Sequence, residues 1–271
     1  MCIRDRQHTT HSTIVVQTPK SDDTSPKTTA PDVINRITEH ISKSNHSATI
    51  QQTATTSKKD KIIIKFNKTD DVTKIAGELR SELGLEAHSR KPLLPRMTIS
   101  HIPPHIKIKE NLQEHIQKHN TFLIEPLKTG QLDILYSYKT RDFNSAVIKV
   151  TPNVRSAILT HNKITIGSRA CPDRDRIQPQ RCTQCCGFGH SKKHCRATSP
   201  TCAFCAAGHE TSNCPNKSDQ GKHCCANCQH SDQPSGNQHK HTAFDQQCPL
   251  FEKEAKKLIN NTDYGSDPLQ L

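Results

Sequence analysis

The sequence predicts an α+β protein in two parts: sheet-and-helix modules up to about residue 170, then a region held together by metal ions. Short β-type runs alternate with segments of helical periodicity, and the same order of elements recurs. Of 13 cysteines, all but Cys2 lie between Cys171 and Cys248, interspersed with histidines, which points to a local device. Only 31% of the 271 residues are hydrophobic and the mean hydropathy is -0.76, so any core is modest and divided.

Residues 1–12 read as a leader outside the fold, because Met1-Cys2-Ile3-Arg4-Asp5-Arg6 resembles a translated adaptor fragment. The first module, residues 13–93, opens on a strand at Thr13-Ile14-Val15-Val16. A helix entered at Pro31-Asp32 carries Val33, Ile34, Ile37 and Ile41 along one face. Strands around Ala48-Thr49-Ile50 and at Ile62-Ile63-Ile64-Lys65-Phe66 precede a second helix. That helix carries Val72, Ile75, Ala76, Leu79 and Leu83 and stops at Gly84. With Leu85 to Leu93 as a last, edge strand, the order is β-α-β-β-α-β.

The second module, residues 96–170, repeats that order. Its first strand is Met97-Thr98-Ile99-Ser100-His101-Ile102, followed by Pro103-Pro104 and a helix with Leu112 and Ile116. Strands at Leu132 to Tyr138 and Ala146 to Val150 flank a polar turn at Thr140-Arg141-Asp142. Thr151-Pro152 caps a helix with Val154, Ala157, Ile158 and His161 on one face, and Ile164-Thr165-Ile166 closes the unit. This is the ferredoxin-like order used by RNA recognition motifs. The expected fold is therefore one or two ferredoxin-like βαββαβ modules followed by small metal-held units. RNA recognition motifs stack bases on aromatics of their two central strands, and here those are nearly absent: Ala146-Val147-Ile148-Lys149-Val150 has none, and Phe66 stands alone in the first module. The modules therefore read first as packing or protein-interaction units with little base contact of their own, with Tyr136 and Tyr138 the remaining stacking candidates.

Lys and Arg outnumber Asp and Glu by 38 to 26, a formal net charge of +12, which favours a polyanionic partner such as nucleic acid or an acidic membrane surface. No apolar stretch approaches the roughly 20 residues of a membrane span. The odd cysteine count, the interspersed histidines and the lack of a secretory signal favour metal over disulfides, hence a reducing intracellular compartment, cytoplasmic or nuclear.

Three ligand sets can be read from the cysteine region. Cys182-x2-Cys185-x4-His190-x4-Cys195 has zinc-knuckle spacing: two cysteines two residues apart turn both sulfurs to one ion, and His190 and Cys195 complete a closed tetrahedron, the arrangement of a structural zinc. Gly187 and Gly189 flank Phe188 where the chain must turn tightly. Cys202-x2-Cys205-x3-His209-x4-Cys214 is the second set, one residue shorter. The third begins at Cys225-x2-Cys228 and ends at Cys248, with His230, His239 and His241 all between. Cys171, Cys186 and Cys224 are left over.

Between Arg169 and Arg196 seven basic residues face two acidic ones, Asp173 and Asp175. Arg174, Arg176, Arg181, Lys192, Lys193 and Arg196 are the candidate phosphate contacts, and Phe188 and Phe204, inside metal-fixed loops, the candidate stacking platforms for unpaired bases. In the competing reading each phenylalanine merely covers its metal site.

The run Arg181-Cys182-Thr183-Gln184-Cys185-Cys186-Gly187-Phe188-Gly189-His190, a shorter knuckle, and a third ending His241-Thr242-Ala243-Phe244-Asp245-Gln246-Gln247-Cys248-Pro249 resemble a known family. It is the gag-like nucleic-acid-binding protein of arthropod non-LTR retrotransposons, the first open reading frame product of Jockey-like elements. The resemblance spans residues 96 to about 252, with Met97 to Pro103 as first strand and Lys163 to Cys171 as last of the domain before the knuckles. It implies binding of single-stranded RNA or DNA, self-association in a ribonucleoprotein with the element's own transcript, and nucleic-acid chaperoning, without membrane or small-molecule substrate. It carries ligand roles for three structural zinc ions to Cys182, Cys185, His190, Cys195, Cys202, Cys205, His209, Cys214, Cys225, Cys228, His241 and Cys248. The implied knuckles are residues 181–196, 201–215 and 224–250, with 251–271 a tail. His241 fits because His241-x6-Cys248-Pro249 reproduces the family's final segment, whereas His230 follows Cys228 too closely for an unstrained site. Gln229 to Lys240, longer than the family pattern, reads as a polar looped insertion.

Two other classes compete. A host RNA-binding protein with CCHC knuckles, acting in messenger RNA metabolism, shares these features. A metal-dependent enzyme is disfavoured: there is no His-x-Glu with a later Pro-Cys-x-x-Cys, no phosphate-cradling glycine loop, and each complete four-ligand set leaves no position for a catalytic water. The chain is expected not to be an enzyme.

Overall fold

The computed structural model describes residues 12–17, 29–44, 48–56, 61–67, 70–229 and 239–270. The chain is a mixed α+β protein with two antiparallel sheets followed by three clusters of cysteine and histidine. It divides into two compact units, one comprising residues up to Arg176 together with Asn260 onward, the other Ile177–Ile259.

The first sheet arises from β1 (Ser12–Gln17), α1 (Ala30–Lys43), β2 (Ile50–Thr55), β3 (Lys61–Phe66), α2 (Val72–Ser81) and β4 (Ala87–Arg90). Alternation decides which side chains turn inward. Ile62, Ile64 and Phe66 on β3 and Ile14 and Val16 on β1 are buried against Val33, Ile37 and Ile41 of α1 and Ile75, Ala76 and Leu79 of α2. Thr29 and Asp32 close a capping box at the start of α1, and the Asp71 carboxylate accepts from the Thr73 and Lys74 amides at the start of α2. Gly84, at φ +63, lets the Leu85 amide reach back to the Leu79 carbonyl and stop α2. The strand order is β2-β3-β1-β4. β2 lies downstream of the expected run at Ala48 to Ile50: Ile50–Thr55 is a polar, exposed edge strand placed by pairing with β3, so hydrophobic patterning is silent there. Ser12 already belongs to β1, while residues 1–11 of the expected leader lie outside the described residues.

The second sheet comprises β5 (Arg96–Ile102), α3 (Ile108–His119), α4 (Ile124–Thr129), β6 (Leu132–Lys139), β7 (Asn144–Val150), α5 (Pro152–His161), β8 (Lys163–Ile166) and β9 (Arg169–Asp175). Met97, Ile99, Ile102, Ala146, Ile148 and Val150 fill its core with Leu112, Ile116, Val154 and Ile158 from the helices. The order is β6-β7-β5-β9-β8. The strand beside β5 is therefore β9, not the expected Ile164-Thr165-Ile166 run, which forms the outer edge and turns into β9 at Gly167, φ +63. The expected boundary at residue 170 falls inside β9. Arg-Ala-Cys-Pro-Asp-Arg-Asp carries no strand pattern, because its buried Asp175 is held by an ion pair rather than by apolar packing.

That ion pair involves the segment expected to be a tail. After α6 (Ala226–Gln229), the helix α7 (Pro249–Asn260) leads into residues 261–270, which strap across the sheet unit. Leu93 pairs with this strap: its amide donates to the Asn261 carbonyl and its carbonyl accepts from Asp263. Arg155, 0% exposed, donates to both oxygens of Asp175 at 2.8 and 2.6 Å and to the backbone carbonyls of Tyr264, Asp267 and Pro268. The Gln270 amide closes the ring on Asp175. Among the described residues, no helix is long and apolar enough to cross a membrane.

Candidate metal centres

Three groups of four side chains converge within Ile177–Ile259: Cys182, Cys185, His190 and Cys195; Cys202, Cys205, His209 and Cys214; Cys225, Cys228, His241 and Cys248. In each, one candidate ligand atom per residue lies within 4.8 Å of the others.

The first two groups share a backbone device. The Cys182 amide donates to Gly187, the Cys186 amide returns to the Cys182 carbonyl, and the Gln184 amide points at the Cys182 sulfur at 3.3 Å. The Cys202 amide likewise donates to Ala207, the Ala206 amide returns to Cys202, and the Phe204 amide points at the Cys202 sulfur at 3.4 Å. To close these loops the residue after the second cysteine adopts a left-handed conformation, Cys186 at φ +62 and Ala206 at φ +61. Gly189, at φ +88, turns the first loop toward His190, whose Nε2 lies 3.3 Å from the Cys185 sulfur. His209 Nε2 lies 3.7 Å from Cys205. Short 3-10 turns, Lys192–His194 and Thr211–Asn213, deliver Cys195 and Cys214.

The third group is built on helices. Cys225 and Cys228 are brought together by α6, and Cys248 immediately precedes α7. Cys228 lies 3.4 Å from Cys248 and 3.6 Å from His241 Nε2, and Cys225 lies 3.9 Å from Cys248. His239 instead contributes backbone: its carbonyl accepts from the Cys225 and His241 amides. His230 and most of the looped insertion, residues 230–238, lie outside the described residues.

The donor chemistry fits a soft, four-coordinate ion. Metal–sulfur bonds of about 2.3 Å at tetrahedral angles space two sulfurs about 3.8 Å apart, and the Cys205–Cys214 pair at 3.7 Å and the third group's pairs bracket that value. In each group one thiol is poised to ionise. Burial opposes ionisation of Cys182, but the Cys185 and Gln184 amides outweigh it and bring the thiol to about 7. Cys202 is lowered in the same way, against burial, by the Cys205 and Phe204 amides. Cys248 is held near about 4, first by hydrogen bonding from Cys225 and then by the Phe251 amide at the start of α7. Burial raises Cys185, Cys214 and Cys228, each to about 11.

All twelve described cysteines are unbridged. Cys171 packs in the second sheet's core and Cys186 is buried with its thiol on the Thr201 carbonyl. Cys224, half-buried, donates to the Gln229 side chain.

The candidate nucleic-acid contacts divide between the units. Arg174 and Arg176 belong to β9 and its end, in the sheet unit, where Arg174 is exposed and Arg176 lies 6.0 Å from the Tyr136 ring. Lys192 and Lys193 are exposed between His190 and Cys195, and Arg196 is exposed just after Cys195. Phe188 is half-buried and packs edge-on against Phe251 of α7 at 6.3 Å. Phe204 meets Phe244 edge-on at 5.5 Å and tilts against His223 at 5.7 Å. Arg181 lies over the Phe244 ring at 4.5 Å and donates to the Ala243 carbonyl. Phe244, the aromatic between His241 and Cys248 for which no contact role is expected from the sequence, is 48% exposed. Compared with known proteins, the chain matches no protein-family model and no curated sequence.

Proposed function

We propose that this protein holds three structural zinc ions and uses the unit they order to bind single-stranded nucleic acid, packaging an RNA as a ribonucleoprotein. The observation that carries the reading is the convergence of three complete Cys3His groups in one compact unit. Three thiols and an imidazole select zinc over harder divalent cations, and four protein ligands leave no coordination position for a substrate or a water. When bound, zinc supplies folding free energy and a rigid surface. Such closed sites support a binding protein rather than an enzyme.

The nucleic-acid part rests on what that surface carries. Lys192 and Lys193 are exposed on a loop held at both ends by candidate ligands, Arg196 is exposed just after Cys195, and Arg181 immediately precedes Cys182. With a net charge of +12, these cations suit phosphates. The ferredoxin-like reading of the first module is supported by its βαββαβ order and its β2-β3-β1-β4 antiparallel sheet. In the second module β9, with β8 as an added outer edge, takes the place of a single last strand. The succession of knuckle spacings supports the gag-like retrotransposon reading, in which the bound RNA is the element's own transcript.

The test is binding of the zinc-loaded full chain to a single-stranded oligoribonucleotide and to a duplex of the same length, across a salt series. The expected result is preference for the single strand and a log-log salt slope of about -0.7 per phosphate contacted. Equal affinity for the duplex, or no salt dependence, rejects the reading.

A further inference from the structure

Within Ile177–Ile259, among the described residues, Phe244 is the one large apolar side chain more than a third exposed. It is not a loose side chain. The Ala243 amide before it donates to the Ala203 carbonyl at 2.8 Å, the Ala243 carbonyl accepts from Arg181, and its own amide donates to the Thr242 hydroxyl. His241 and Cys248, both in the third metal group, bracket it in sequence. The ring is supported from the side by Phe204 at 64° and carries the Arg181 guanidinium 4.5 Å from its centroid. Arg181 precedes the first group's Cys182, Phe204 sits between ligands of the second, and Phe244 between ligands of the third. One aromatic platform is thus assembled from all three metal loops.

We infer that Phe244 is the stacking site for one unpaired nucleobase, with Arg181 beneath the ring and Phe204 at its edge; the inference rests on the single-strand reading above. The ring face turned away from the guanidinium accepts a flat π-system, and the cation next to it attracts the anionic backbone joined to that base. An aromatic pinned by backbone bonds on both sides loses little conformational entropy when it is covered. Exposure separates Phe244 from Phe188, which is half-buried. Every base has a π-face, so the platform selects single strands over duplexes without selecting sequence.

The experiment uses the zinc-loaded full chain and a short single-stranded oligoribonucleotide carrying one 2-aminopurine, whose fluorescence falls when it stacks. Wild type is expected to quench it. Phe244→Leu is expected to keep three metal equivalents, weaken binding about 5- to 100-fold and abolish the quench, and Phe244→Trp to restore both. A second measurement requires no variant: photo-crosslinking of wild type to the same oligonucleotide with 5-iodouridine should place an adduct on Phe244. Unchanged affinity and quench in metal-loaded Phe244→Leu, or crosslinks confined to other residues, overturns the stacking site while single-strand binding stands. A wild-type chain that binds no single strand instead removes the reading beneath it. If Phe244→Leu changes the chain's self-association and leaves RNA affinity intact, the platform contacts protein and the inference is wrong.

Discussion

In the second sheet the buried cluster includes Ile99, Ile102, Leu112, Ile116, Ile148, Val154 and Ile158; the buried cluster between Ile177 and Ile259 is Cys186, Ala203, Cys225, Ala226, Cys228, Ala243, Cys248, Phe251 and Ala255. Burying one aliphatic side chain of the first kind stabilises by roughly 1.5–3 kcal/mol. An alanine contributes far less, so the second set cannot order 83 residues by area alone. A structural zinc, at about 10–16 kcal/mol of apparent binding free energy in small peptides, can. On the proposed reading one region is held by hydrophobic packing and the other by bonds to metal, so each should fail under treatments that spare the other.

The largest expected effect is from chelation. Removing metal with a strong chelator should abolish amide-exchange protection and open protease sites between Ile177 and Ile259, while the amides of β5, β7 and β9 stay protected. Loss of protection in both units together would break the comparison.

A converse effect follows from Arg155→Met. Removing the guanidinium leaves Asp175 buried without its cation and three strap carbonyls without their donor, a loss of about 3–5 kcal/mol in the sheet unit. Metal content should be unchanged. Urea unfolding followed by far-ultraviolet circular dichroism, with metal quantification alongside, checks both; a midpoint equal to wild type would show that the strap does not stabilise the sheet.

The smallest effect concerns Asp173, whose carboxylate oxygens are buried without a hydrogen-bond partner. Burial, then the Asp175 charge, raises it to about 6. The folded protein therefore holds a proton that the unfolded chain, with its ordinary value of 3.8, has released, and stability falls as pH rises from about 4 to about 6. Asp173→Asn should flatten that part of the profile and raise the melting midpoint at neutral pH. An unchanged profile in thermal scans from pH 4 to pH 7 would show that Asp173 is solvated in the folded protein.

The same contrast explains what could be read in the sequence. β1, β3 and β5 and the helices α1, α2, α3 and α5 were legible because burial imposes period 2 or period 3.6 on their apolar residues, and β7 because Ala146, Val147, Ile148 and Val150 make a nearly continuous buried apolar run. β2 is a polar edge and β9 a charged strand, so neither carries that period. The strap was hidden for another reason: Tyr264 and Thr262 are buried by Arg155 and Leu93, over a hundred positions away in the chain, and nothing local announces it. Ligand spacing is local chemistry, and the expected residues of all three groups are brought together. Aromatic roles were less legible, since the packing of Phe188 on Phe251 and the exposure of Phe244 depend on how α7 and the three loops assemble.

The most direct test of the central claim is the zinc content of the full chain by native mass spectrometry, measured for wild type and for histidine variants of the third group. The account predicts three ions in wild type, three in His230→Ala and His239→Ala, and two in His241→Ala, whose imidazole lies 3.6 Å from the Cys228 sulfur. One ion or fewer in wild type, or three retained in His241→Ala with loss in His230→Ala, would contradict it.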